Sequence, residues 1–114
     1  MAYTSKTYRG NMRTVAETPM FQKYARGVWT EAERVDFISW IALNPEAGDV
    51  IPGSGGCRKI RWTKAGRGKR GGVRVIYFNV EDEVIWLLIV YSKAAYDSLP
   101  VAFLEELKQG VEDA

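Results

Sequence analysis

A chain of 114 residues has room for one domain and not for two. Hydrophobic residues make up 46% of it, enough for a packed core, and a single cysteine, Cys57, excludes an internal disulfide. The net charge of +2 hides a division: eight of the 16 Lys and Arg lie between Cys57 and Arg74 with no acid among them, which leaves the remaining residues at a net −6. One positive face, suited to a polyanion, is expected. The chain has no histidine, and with it go the commonest general base and the commonest metal ligand. No Cys/His pair, Ser/His/Asp set or metal-ligand spacing replaces it, so neither metal nor cofactor is expected.

Residues 1–12 are polar and aperiodic. They read as a flexible arm, without the apolar run of a signal peptide, ahead of a single domain over residues 13–114. Arg13 to Thr18 is a short strand candidate ended by Pro19, and Met20 to Arg26 a short helix closed by Gly27. Thr30-Glu31-Ala32-Glu33 has the form of a capping box. After it, Val35, Phe37, Ile38, Ile41 and Ala42 recur at helical spacing up to Leu43, and Pro45 stops the helix. Eight of the 11 glycines then fall between Gly48 and Gly72. Cys57 to Trp62 interrupts them as a strand, with Arg58, Ile60 and Trp62 on one face and Cys57, Lys59 and Arg61 on the other. Thr63 to Gly72 is a basic loop, Val73 to Val80 a strand and Glu81 to Glu83 a polar turn. Val84 to Tyr91 is apolar throughout, as in a central strand covered on both faces. Its eight residues are too few for a membrane span, which needs about 20. Ser98 is placed to cap a last helix carrying Phe103, Leu104, Leu107 and Val111 as its stripe.

Short loops make the last three strands antiparallel neighbours. The expected fold is α+β: a small antiparallel sheet with the N-terminal helices packed on one face and a helix at the C-terminus.

Three constellations carry candidate chemistry. Lys59 and Arg61 project from one face of a strand, and a hairpin brings Arg74 opposite them. Mutual repulsion of three cations calls for a compensating anion, either a phosphate backbone or nearby acids such as Glu46 and Asp49. The loop residues Lys64, Arg67, Lys69 and Arg70, with Arg58 beside them, suit phosphate tracking. The loop has neither GxGxxG nor a P-loop pattern, which argues against a nucleotide cradle. At the end of the last strand, Tyr91, Lys93 and Tyr96 are candidates for base stacking or proton transfer. Cys57 reads as a structural thiol, and Trp29 and Trp40 as core.

The stretches Asn44–Trp62, Gly66–Tyr77 and Leu87–Lys93 together resemble the RelE superfamily of type II toxins, the HigB branch most closely, over residues 14–110. The resemblance implies a RelE-like fold and a cytoplasmic, ribosome-dependent mRNA endonuclease. It also implies a cognate antitoxin, of the helix-turn-helix HigA type in that branch. Lys59 and Arg61 match the two basic positions on one active-site strand. Arg74 matches the arginine that binds the scissile phosphate, and Lys93 a basic position after the last strand. The chain departs from the pattern with Ala94 and Ala95 after that lysine. It departs again with Leu99 and Pro100 where some relatives have a catalytic tyrosine, which leaves Tyr91 and Tyr96 as candidates for that role. On this reading Arg61 and Arg74 neutralise growing charge, Lys59 is the general base, and a tyrosine or Lys93 is the acid. A ParE-like gyrase poison on the same fold is the alternative.

Overall fold

The computed structural model describes residues 4–6, 13–63, 72–81, 83–93 and 99–112. Nine elements follow in order: β1 (Thr4–Lys6), β2 (Thr14–Glu17), α1 (Pro19–Val28), α2 (Glu31–Leu43), β3 (Asp49–Val50), β4 (Arg58–Trp62), β5 (Val73–Val80), β6 (Val84–Ser92) and α3 (Val101–Glu112). The strands form one sheet in the order β1-β2-β6-β5-β4-β3. The protein has the expected α+β architecture, and β4, β5 and β6 pair antiparallel as their short connections require.

The sheet departs from the expectation in three places. It is mixed, because β2 pairs with β6 in parallel; the two helices between them in sequence provide the crossover that a parallel pair needs. Residues 4–6, expected within a flexible arm, form β1, which pairs antiparallel with β2 and covers its otherwise open edge. Asp49 and Val50, expected in the glycine-rich stretch, form β3 on the opposite edge.

Local sequence explains the helix ends. The Thr18 hydroxyl accepts from the Phe21 amide at 3.1 Å, and Pro19 occupies the first turn, where its missing N–H costs nothing. Gly27 does not close α1, which runs on to Val28 and ends at Trp29. The expected capping box opens α2: the Glu33 amide donates to Thr30 Oγ1 at 3.2 Å and the Thr30 amide to Glu33 Oε1 at 2.8 Å. Helix α3 begins at Val101; Ser98, the cap expected for it, lies outside the described residues.

Two cores sit on the two faces of the sheet. The first gathers Phe21, Ala25, Phe37, Ile38, Ile41 and Ala42 of α1 and α2 over Val15, Val73, Val75, Tyr77, Ile85, Leu87 and Val90. An aromatic stack closes its edge: Trp29 on Phe37 at 5.4 Å between ring centroids, Phe37 on Trp62 at 5.2 Å and Trp40 on Trp62 at 4.9 Å. The second core places Leu104 and Val111 of α3 on Cys57, Ile76, Leu88, Ile89 and Tyr91. The two N-terminal helices share one face as expected, and the C-terminal helix α3 covers the opposite face. Strand β6 is buried between these layers, in keeping with its apolar run from Val84 to Tyr91. No described helix is long and apolar enough to cross a membrane.

One ion pair ties the first layer to the sheet. Glu17 of β2, only 1% exposed, accepts from Arg34 of α2, which also bonds Glu31. These acceptors raise the Arg34 pKa above its ordinary value, against the opposing effect of burial. A buried carboxylate stripped of its cation is costly. Arg34→Met should therefore lose about 3 kcal/mol in urea unfolding, and Glu17→Gln combined with Arg34→Met should recover most of that loss.

Candidate nucleic-acid interface

The register of the sheet builds the candidate site. Arg61 of β4 stands opposite Arg74 of β5, and Arg74 stands opposite Tyr91 of β6, so the three make one row across three strands. Lys59, two residues before Arg61, shares its face and stands opposite Ile76. This is the α3 face, because Ile76 and Tyr91 belong to the second core. Arg61 is exposed, Lys59 and Arg74 are half-buried, and Tyr91 is 2% exposed. The row thus rises from a buried phenol at its centre to an open guanidinium near the sheet edge.

Tyr91 reaches this row through a β-bulge. Ile76 pairs with Ile89 but Tyr77 pairs with Leu87, which leaves Leu88 as an extra residue on β6. Leu87 and Val90 belong to the first core, Leu88 and Ile89 both to the second. The extra residue shifts the alternation by one, so Tyr91 emerges beside Arg74 instead of under α1 and α2. Burial pushes the Tyr91 phenol upward, and the Arg74 charge partly offsets this. Lys93 is exposed in the turn after β6.

Arg58 is not part of this row. It points to the other face, and its Nη1 donates to the Gly48 carbonyl at 2.7 Å and the Glu46 carbonyl at 3.3 Å. Its guanidinium is thereby committed to the backbone of the segment between α2 and β3. Lys64, Arg67, Lys69, Arg70 and Tyr96 lie outside the described residues. Cys57 is fully buried, its thiol pushed up by desolvation, as befits a structural thiol.

A second set of residues positions β3 next to Lys59. Buried Tyr77 donates its hydroxyl to the Pro45 carbonyl at 2.9 Å and accepts from the Gly48 amide at 2.8 Å. Asn79 Nδ2 donates to the same carbonyl at 2.9 Å. A Cβ on Gly48 would come within 2.9 Å of the Tyr77 hydroxyl and 3.0 Å of the Lys59 carbonyl, so only glycine lets the segment lie this close. Asp49 then stands directly opposite Lys59. The sequence offered no signal for this anchor, because Gly48 and Tyr77 are 29 residues apart and no spacing rule joins them. At the mouth of the β4–β5 loop, Gly72 has φ +65°, and a Cβ there would collide with the Trp62 carbonyl.

Among the described residues, no three His, Cys, Asp or Glu side chains gather as metal ligands. What the row can do is bind an anion: the two guanidiniums of Arg61 and Arg74 on one face favour phosphate oxygens.

No family model matches the sequence. Among solved structures, the chain is similar to the E. coli toxin RelE, in its free state and with two arginines replaced by alanine. The TM-score is 0.58 at 15% identity, over 87% of this chain and 98% of that one. At this identity the likeness is one of fold, and the protein has a RelE-like α+β fold.

Two outcomes test this geometry. Gly48→Ala should destabilise the protein by about 1–3 kcal/mol in denaturant unfolding, because the buried Tyr77 ring has no room to retreat. Tyr77 and Tyr91 both titrate above the ordinary tyrosine value when folded. The unfolded chain therefore releases these protons first, and stability falls as pH rises from about 10 upward. Tyr91→Phe removes one such group and should make the alkaline loss shallower in melting curves taken from about pH 8 to pH 11.

Proposed function

We propose that the protein is the toxin of a type II toxin–antitoxin pair, of the HigB-like branch, and that it cleaves mRNA on the translating ribosome. The observation that carries this reading is the row Arg61–Arg74–Tyr91, with Lys59 on the same face. Its support is the RelE-like fold together with the sequence resemblance around those residues.

The chemistry follows from the residue types. The RNA 2′-hydroxyl attacks the adjacent phosphorus, which forms a cyclic phosphate and releases the 5′ oxygen. Arg61 and Arg74 stay charged and stabilise the negative charge that grows on the phosphorane oxygens. Lys59 takes the proton of the 2′-hydroxyl. Exposed Lys93, at the open end of β6, gives a proton to the leaving oxygen, while buried Tyr91 props Arg74 from below. The need for a 2′-hydroxyl restricts the reaction to RNA. The ribosome holds the message in line, which supplies the orientation that a shallow sheet face lacks. The loop residues Lys64, Arg67, Lys69 and Arg70, and Tyr96, serve as RNA contacts around this centre. A helix-turn-helix antitoxin holds the protein inactive in the cytoplasm.

Mapping mRNA 5′ ends after induction in translating cells tests the reading, with new ends inside open reading frames as the expected result. Arg74→Ala and Lys59→Ala should each reduce cleavage by about 100-fold or more without unfolding the protein. Intact transcripts together with broken chromosomes would instead identify a ParE-like gyrase poison.

A further inference from the structure

The reaction proposed above leaves Lys59 with a proton it did not have, so that a third positive charge forms on the face already occupied by Arg61 and Arg74. Something must offset that charge as it develops, or proton transfer is opposed by repulsion at the moment it is needed. The sheet register supplies one carboxylate at the right place. Asp49 of β3 is the direct partner of Lys59 in the antiparallel β3–β4 pair. Directly opposed residues share a face, with Cβ atoms about 4.5–5.5 Å apart. Lys59 therefore has Asp49 on one flank and apolar Ile76 on the other.

The position of Asp49 is not left to a loose edge. The residue before it, Gly48, is fixed from both sides of its peptide by Tyr77 and Arg58. Two residues after it, the Ile51 amide donates to the Cys57 carbonyl at 2.8 Å. Strand β3 is only two residues long, yet each end is tied to buried structure.

We infer that Asp49 is a positioning residue for proton transfer. Its carboxylate orients the Lys59 side chain and stabilises the ammonium formed when Lys59 accepts the 2′-hydroxyl proton. Asp49 acts through Lys59 and does not touch the substrate, the role a carboxylate plays behind any base that it orients. This rests on the ribonuclease reading.

The test uses the full chain and programmed ribosomes, with wild type cleaving as the control; a wild type that does not cleave defeats the ribonuclease reading before Asp49 is at issue. Asp49→Asn should lower the single-turnover cleavage rate about 10- to 100-fold. RNA affinity should be unchanged or severalfold tighter at low salt, because a negative charge has left a phosphate-binding face. Asp49→Glu should restore part of the rate. In a Lys59→Met background, Asp49→Asn should change the residual rate less than about twofold, because it acts through the missing amine. Wild-type cleavage by Asp49→Asn overturns the inference. So does a rate loss that persists undiminished beside Lys59→Met, or one matched by a drop in melting temperature and in RNA affinity, either of which marks Asp49 as merely structural.

Discussion

The candidate site depends on one extra residue in the central strand. β6 is buried under α1 and α2 on one side and α3 on the other, and each face must receive its own set of apolar side chains. Simple alternation from Ile85 would send residue 91 to the α1–α2 face. The bulge at Leu88 reverses the parity, and the Tyr91 ring joins the α3 face beside Arg74. A regular strand would instead place a phenol in the first core. The geometry of the row is therefore a product of how the central strand is packed, and the strong burial on both sides holds the bulge in register.

Packing also governs the sheet edge. Tyr77 and Asn79 belong to the strand that carries Arg74, but their polar ends reach across to Pro45 and Gly48. The buried Tyr77 hydroxyl has both a donor and an acceptor satisfied, and losing either partner would strand a polar group in the core. Arg58 completes the clamp from β4. Alternation along β4 thus gives its basic residues separate roles. Arg58 faces the clamp, while Lys59 and Arg61 face the open side. Neighbouring cations in the sequence serve different ends because a strand sends successive side chains to opposite faces.

Crowding of cations on one face works against stability in the absence of an anion. The row lies over an apolar layer, with Ile76, Ile89, Leu104 and Tyr91 all buried on that face.

Much of the fold was legible in the sequence because its signals are local. The Thr30–Glu33 capping box, the apolar stripe of α2, the apolar run Val84–Tyr91 of β6 and the alternation of β4 each rest on residues within a few positions of one another. Short loops then dictated the antiparallel β4–β5–β6 order, and with it the meeting of Arg61 and Arg74. What only the tertiary structure decided involves residues distant in the chain. These are the parallel pairing of β2 with β6, the β1 and β3 edges, α3 on the opposite face, the anchoring of Gly48 by Tyr77, the pairing of Asp49 with Lys59, and the bulge that turns Tyr91 toward Arg74. Each depends on which strands lie side by side and in what register. That is settled by burying two separate apolar faces at once, a condition that no stretch of sequence states by itself.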